Sequence, residues 1–214
     1  MTSRVPIPTD DEISRCATTI ANGGVAVVPT DTLYGLAASI ADAKAVARVV
    51  AIKRRGPGVG MPVLMASAEQ VRTVGDVVRH LDELGAAFWP GGLTLVIPAR
   101  PELDARIADA RRTVAVRVPG MEATREVSRR AGVPITGTSA NRRDQVPPTT
   151  AVEARAALGS AVDAFLDGGP VMGTASTIVD LTSDPPSVLR AGAISLDDLR
   201  RVAPQLVEGS VRSR

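Results

Sequence analysis

Histidine and cysteine are almost absent from this chain of 214 residues, which holds one of each, His80 and Cys16. A Cys/His zinc cluster and an intrachain disulfide are both impossible with that inventory. A Cys–His or Ser–His–Asp centre would have to use one of those two residues. Cys16 falls in an apolar helical pattern and His80 among charges, so both read as structural. Aromatic residues make up only 2% of the chain (Tyr34, Phe88, Trp89 and Phe165). That scarcity argues against a base-stacking platform for single-stranded nucleic acid and leaves Val, Ile, Leu and Ala to build the core. Lysine is rare too: of 25 basic residues only Lys44 and Lys53 are lysines, and the rest are arginines. The net charge of +2 is too small to argue by itself for a nucleic-acid partner. No apolar run reaches the roughly 18 residues that a membrane-spanning helix needs. The acids Asp10, Asp11 and Glu12, with no long apolar segment beside them, speak against a secretory signal. A cytoplasmic protein without a membrane partner is expected.

What the chain does have is 44% hydrophobic residues, enough for a core. Its length fits a single domain over 1–214, with a core over about 10–203 and a polar tail over 204–214. Asp10 or Asp11 can cap a first helix that Gly23-Gly24 ends. A buried strand over 25–28 runs into the loop Pro29 to Gly35. Asp42 can cap a second helix to about Lys53, and a Gly/Pro-rich loop (54–61) precedes a strand at 62–66. A helical stretch covers roughly 68–87, with a break at Gly75. Further strands are expected at 93–98, 113–118, 134–138, 162–166, 175–181 and 187–190. Helices are expected at 121–131, 149–158 and from Ser195 or Leu196. Strands and helices alternate, but not strictly, which predicts an α/β fold with a twisted mixed β-sheet and flanking helices.

Polar residues concentrate where the predicted strands end, the usual place for ligands in α/β sheets. Pro29-Thr30-Asp31-Thr32-Leu33-Tyr34-Gly35 reads either as a ligand-binding turn or as a capped turn with Tyr34 packed for structure. Lys53-Arg54-Arg55 at a helix end suits phosphate or simply complements the helix dipole. The glycines that follow (56, 58 and 60) form neither a dinucleotide fingerprint nor a P-loop. Arg117 sits in an otherwise apolar strand on the face of Thr113 and Ala115; it either faces solvent or awaits an anion. Ser139-Ala-Asn141 closes a strand and is either a plain turn or a contact for phosphate and a metal's water. Ser176 opens a strand, and Arg190 stands at the exit of another beside Gly192.

Taken in order, these segments resemble the YrdC/Sua5 family, whose members make threonylcarbamoyl-adenylate for the tRNA modification N6-threonylcarbamoyladenosine. The resemblance rests on 29–36, Lys53 and Arg55, Trp89-Pro-Gly-Gly-Leu-Thr-Leu95, Val114–Pro119, Ser139-Ala-Asn141, Ser176-Thr-Ile-Val-Asp180 and Leu189-Arg-Ala-Gly192. It covers nearly the whole chain and implies a YrdC/RibB-like fold in the short, single-domain form. It further implies that Lys53 and Arg55 hold ATP phosphates, with Ser139 and Asn141 positioning them and Mg2+ as catalytic residues. Arg117 would pair with the threonine carboxylate, Thr32 and Ser176 would line the threonine pocket, and Thr113 and Arg190 would contact the nucleotide. Thr30 and Tyr34 join the threonine set by proximity. Substrates would be ATP, L-threonine and bicarbonate. The product would pass to tRNA through a downstream threonylcarbamoyl transferase, and the enzyme would be a monomer. The carbamate of threonine is already an anion, so its attack on the α-phosphate, expelling pyrophosphate, needs alignment and cations rather than a histidine base. The sequence departs from the family's pattern between 56 and 66: the loop is about two residues longer, Met61 replaces a common asparagine and Ala66 a common histidine. Two rivals remain. One is a non-catalytic double-stranded RNA-binding module of the same fold; the other is a related carbamoyl-adenylate chemistry of hydrogenase maturation.

Overall fold

A computed structural model describes residues 6–209. Helix α1 (Asp10–Ala21) is capped not by an aspartate but by Thr9, whose hydroxyl accepts from the Glu12 amide while the Glu12 carboxylate reaches back to Thr9. This reciprocal box satisfies two orphan amides at once, which a lone Asp cap would not. The helix ends before Gly23-Gly24, with Asn22 as its C-cap. Its buried face, Cys16, Ala17 and Ile20, packs beside α4 (Glu122–Ala131). Strand β1 (Ala26–Pro29) and β2 (Tyr34–Ala37) form an antiparallel hairpin, so the polar segment 30–33 is a tight turn and not an open loop. Helix α2 (Ala43–Lys53) is capped by Asp42 as expected, and Arg54 closes it in the left-handed region at φ 47°. Strand β3 (Val63–Leu64) is shorter than expected. The helical stretch after it divides into a 3-10 turn at Ala68–Thr73 and α3 (Leu81–Phe88).

The remaining elements are β4 (Leu93–Pro98), β5 (Thr113–Arg117), β6 (Ile135–Thr136), β7 (Thr138–Ser139), α5 (Ala151–Leu158), β8 (Ala164–Phe165), β9 (Thr177–Asp180), β10 (Ser187–Arg190), α6 (Leu196–Val202) and β11 (Val207–Glu208). The strands make two mixed sheets where the sequence suggests one. The smaller runs β7-β2-β1-β8 and the larger β11-β10-β9-β4-β5-β3-β6. Gly137 is where the chain changes sheet, leaving β6 beside β3 and entering β7 beside β2. A Cβ there would lie 2.4 Å from Leu64 Cγ, so the close crossing requires glycine. The assigned polar tail also starts too early. Leu206 is buried and β11 adds to β10 in parallel, giving that strand's outer backbone edge its partners. Residues 210–214 of that tail lie outside the described ones.

The core is aliphatic, as the composition demands: Val27, Leu36, Val49, Val63, Leu95, Val116 and Val179 from both sheets and from α2 join one buried cluster. Tyr34 is the one aromatic among the fully buried large side chains. Neither rare nucleophile departs from a structural role. Burial pushes the Cys16 thiol up to about 12, and His80 precedes α3 and meets Gln205 through its ring.

Candidate functional site

Strand direction explains where the polar residues meet. Strands β3 and β5 are parallel, β4 opposes β5, β9 follows β4, and β10 opposes β9. The C-terminal ends of β3, β5 and β10 therefore lie at the same end of the sheet as the starts of β4 and β9. That end faces the β1–β2 turn and β7 of the smaller sheet. A cavity of about 270 Å3 opens there, walled among others by Thr30, Thr32, Thr94, Arg117, Ser176 and Arg190.

Arg117 is its centre of charge. It is 5% exposed, which removes the solvent-facing reading. Its Nε donates to Gly91 O at 2.8 Å, Nη1 to Thr32 Oγ1 at 2.8 Å and Nη2 to Asp31 Oδ1 at 2.7 Å. Asp31 also accepts from the Gly120 amide, just ahead of α4, which fixes the carboxylate from a second direction. Burial lowers the guanidinium's pKa and the Asp31 charge opposes that shift. The guanidinium has five N–H groups, so two remain beyond these three bonds for a second anion at the cavity. The hydroxyls behind it are ordered. Thr30 donates to Leu33 O at 2.6 Å, so Thr32, already accepting from Arg117, donates to Thr30.

Across the cavity Arg190 donates to Ser176 O through Nε and Nη2 and to Ser176 Oγ at 3.0 Å. Ser176 Oγ in turn lies 2.8 Å from Thr94 Oγ1. Thr94 precedes Leu95 in a register that sets it level with both Arg117 and Ile178. Sequence reasoning left Thr94, Asp31 and Thr138 out of the site, although Thr94 and Asp31 lie inside segments that carried the family resemblance and Thr138 directly precedes one. Their role depends on register, which local pattern does not show.

Beyond Ser139 lies a second cavity of about 570 Å3, walled by Lys53, Arg54, Arg55, Val59, Asn141, Arg143 and Asp144. Arg55, Thr138 and Ser139 wall both cavities, so the two adjoin. Arg55 Nη1 donates to Thr138 Oγ1. Lys53 Nζ is turned onto the segment 139–141, 2.8 Å from Ser139 O, 3.2 Å from Ser139 Oγ, 2.7 Å from Asn141 O and 2.8 Å from Asn141 Oδ1. Burial, and after it the charge of Arg55, lowers this amine to about 8.

Two of the expected site residues differ from the roles given to them. Tyr34 is fully buried; its hydroxyl donates to Gly169 O at 2.7 Å and accepts from the Gly168 amide, and burial pushes it up to about 12. Tyr34 borders the smaller cavity, but its hydroxyl is engaged by the 167–169 turn, which it anchors. Thr113 opens β5 whereas Arg117 closes it. Four residues of strand separate them by about 13 Å, and Thr113 is not among the walls of either cavity. The assignment of Thr113 to the nucleotide rested on the family resemblance alone. The substitution at Ala66 has a structural counterpart: this residue borders a third, apolar cavity of about 330 Å3 with Leu81, Trp89 and Val118.

Known proteins share the sequence and the fold of this chain. The Sua5/YciO/YrdC family model, described as telomere recombination, matches residues 18–192. A relative from Mycobacterium tuberculosis is 40% identical over 84% of this chain and 83% of its own length. A threonylcarbamoyl-AMP synthase from Alkalilimnicola ehrlichii is 34% identical over 84% of this chain and 95% of its own. Among solved structures, Pyrococcus abyssi Sua5 complexed with L-threonine superposes with a TM-score of 0.87 at 32% identity, covering 91% of this chain and 58% of that one. Escherichia coli YciO follows at a TM-score of 0.82, 25% identity, and 91% and 95% coverage. On sequence and on fold alike, the chain belongs to the Sua5/YciO/YrdC family.

Proposed function

We propose that this chain is a threonylcarbamoyl-AMP synthase, joining L-threonine, bicarbonate or CO2, and ATP into threonylcarbamoyl-AMP and pyrophosphate. One observation carries the reading: a small cavity built around a buried arginine adjoins a larger basic one. The first suits an amino acid and the second a triphosphate. Relatives bear this activity in their names, and the P. abyssi neighbour was crystallised with L-threonine.

In the smaller cavity the two remaining N–H groups of Arg117 receive the threonine carboxylate, with Thr32, Thr94 and Ser176 around it. The amine, combined with CO2, becomes a carbamate whose oxygen points toward the Arg55–Thr138–Ser139 border. In the larger cavity Arg55 faces the phosphates, with Ser139 and Asn141 held in place by Lys53. The carbamate oxygen forms a bond to the α-phosphorus, and the bond to the β-phosphate oxygen breaks to release pyrophosphate. Fixed cations and positioning supply the acceleration, so no histidine is needed. Among the described residues no group of three or more His, Cys, Asp or Glu could hold a metal. In this reading Mg2+ arrives on the ATP phosphates, as a hard cation satisfied by phosphate and water oxygens does, and neutralises their charge. Arg190, bonded to Ser176, joins the two ligands on the sheet side. The product then passes to a transferase that modifies tRNA.

No helix among the described residues is long and apolar enough to cross a membrane; the proposed setting is the cytoplasm and the proposed form a monomer. The test is pyrophosphate release by the purified protein with Mg2+ and ATP. Release is expected only when threonine and bicarbonate are both present. Folded protein that gives no threonine-dependent pyrophosphate, yet binds duplex RNA with steep salt dependence, would favour the RNA-binding module instead.

A further inference from the structure

We infer that Lys53 is a positioning residue: its ammonium fills a cage of four oxygens from Ser139 and Asn141 and so shapes the segment that faces the triphosphate. The inference rests on the reading that the larger cavity takes the triphosphate, and it changes which side chains meet that ligand.

An ammonium has three N–H groups arranged about one point, and four oxygens converge on this one at 2.7 to 3.2 Å. Two of them are backbone carbonyls, of Ser139 and Asn141, which Lys53 supplies with a donor. The Asn141 side chain continues the tie, its Nδ2 donating to Gln145 O. One cation at the end of α2 thus holds both ends of the turn that borders the cavity. Capping of α2 does not account for this, since all four of these bonds go to Ser139 and Asn141, while Val50 O and Ala51 O accept from the amides of Arg55 and Arg54.

With the ammonium directed onto the turn, the side chains left facing the cavity with positive charge are Arg54, Arg55 and Arg143, and Arg143 Nη1 also donates to Arg54 O. Bidentate phosphate contact is an arginine property. The presence of lysine at position 53, in a chain whose other cations are almost all arginine, now has a local reason. A planar guanidinium cannot direct its donors at four oxygens grouped around one point, so arginine, abundant elsewhere, does not substitute here. The depressed amine pKa is consistent with an enclosed group.

The test is titration calorimetry with inorganic triphosphate, which needs no turnover, on wild-type, Lys53→Arg and Lys53→Met. A direct phosphate ligand would tolerate Lys53→Arg; a cage-filling cation would not. Both variants are expected to lose affinity by about tenfold or more. Ammonium chloride should restore Lys53→Met most of the way, where choline chloride at equal concentration does not, and should leave Lys53→Arg unchanged. Wild-type affinity in Lys53→Arg, or no restoration of Lys53→Met, overturns the inference. Asn141→Ala gives a second readout that leaves Lys53 in place. Combined with Lys53→Met it should cost no more than the worse single change, and additive losses would overturn the inference as well. Wild-type protein that binds no triphosphate removes the reading of the cavity itself, a result separable from the variants' behaviour.

Discussion

Arg117 shows how one buried cation can be both structural and functional. Three of its bonds go to Gly91, Thr32 and Asp31, so the side chain is fixed before any ligand arrives. Fixed donors lose little entropy on binding, which favours a small zwitterion with few atoms to contribute. Arg117→Ala is expected to lower threonine affinity by about 10- to 100-fold, the worth of a charge-assisted pair, while ATP affinity stays within about threefold. Calorimetry with each ligand separately checks this, and equal losses for both would refute the role. Tyr34 gives the opposite case. Tyr34→Phe removes a hydroxyl bonded to Gly169 and Gly168 and leaves those backbone groups without it. A loss of about 1–3 kcal/mol of stability is expected, with threonine affinity far less affected than in Arg117→Ala. Urea denaturation alongside calorimetry separates the two effects.

Among the elements, α5 reaches the site through the stretch that precedes it. Its cap Thr150 accepts from the Glu153 amide, and the Glu153 carboxylate accepts from the amides of Thr149 and Thr150. The same short stretch receives the Tyr34 amide at Pro148 O and the Val171 amide at Thr149 O, while Pro147 lines the smaller cavity. Thr150→Ala is expected to cost about 1 kcal/mol of stability, as loss of an N-cap does. Chemical denaturation measures it; an unchanged midpoint would show that the box contributes nothing. Elements such as α2 and α6 were legible because their signals are local: Asp42 before α2, Ser195 before α6. The short strands β3, β6 and β7 were harder to bound. Two-residue strands carry no periodicity, and only their partners define them.

At the scale of the molecule, the smaller cavity is shared between sheets. Thr30, Thr32 and Ser139 come from the four-stranded sheet and its turn; Thr94, Arg117, Ser176 and Arg190 come from the seven-stranded sheet and its ends. A ligand bound there adds a bridge that the unfolded chain lacks. Threonine with ATP and Mg2+ should therefore raise the melting temperature more than either ligand alone, and each at about 100 times its dissociation constant contributes about 2.7 kcal/mol. Thermal denaturation with single and paired ligands tests this, and no added shift from the pair would mean that the cavities do not act together.

The sequence by itself determined the chemistry available and the local elements. With one histidine and one cysteine no zinc centre was open and any nucleophilic triad had to use His80 or Cys16; the family resemblance implied cationic alignment instead. Ordered motifs identified the family, and the caps and apolar periods placed most helices and strands. Only the tertiary structure decided which residues meet. Period-2 alternation puts Thr113 and Arg117 on one face but does not say which end of the strand meets a cavity, and strand direction decided that. Proximity in sequence put Tyr34 with Thr32, yet its hydroxyl reaches a turn more than 130 residues away. Pairing between distant strands and the sheet change at Gly137 brought Lys53 to Ser139 and Arg117 to Asp31, and no local propensity encodes such contacts.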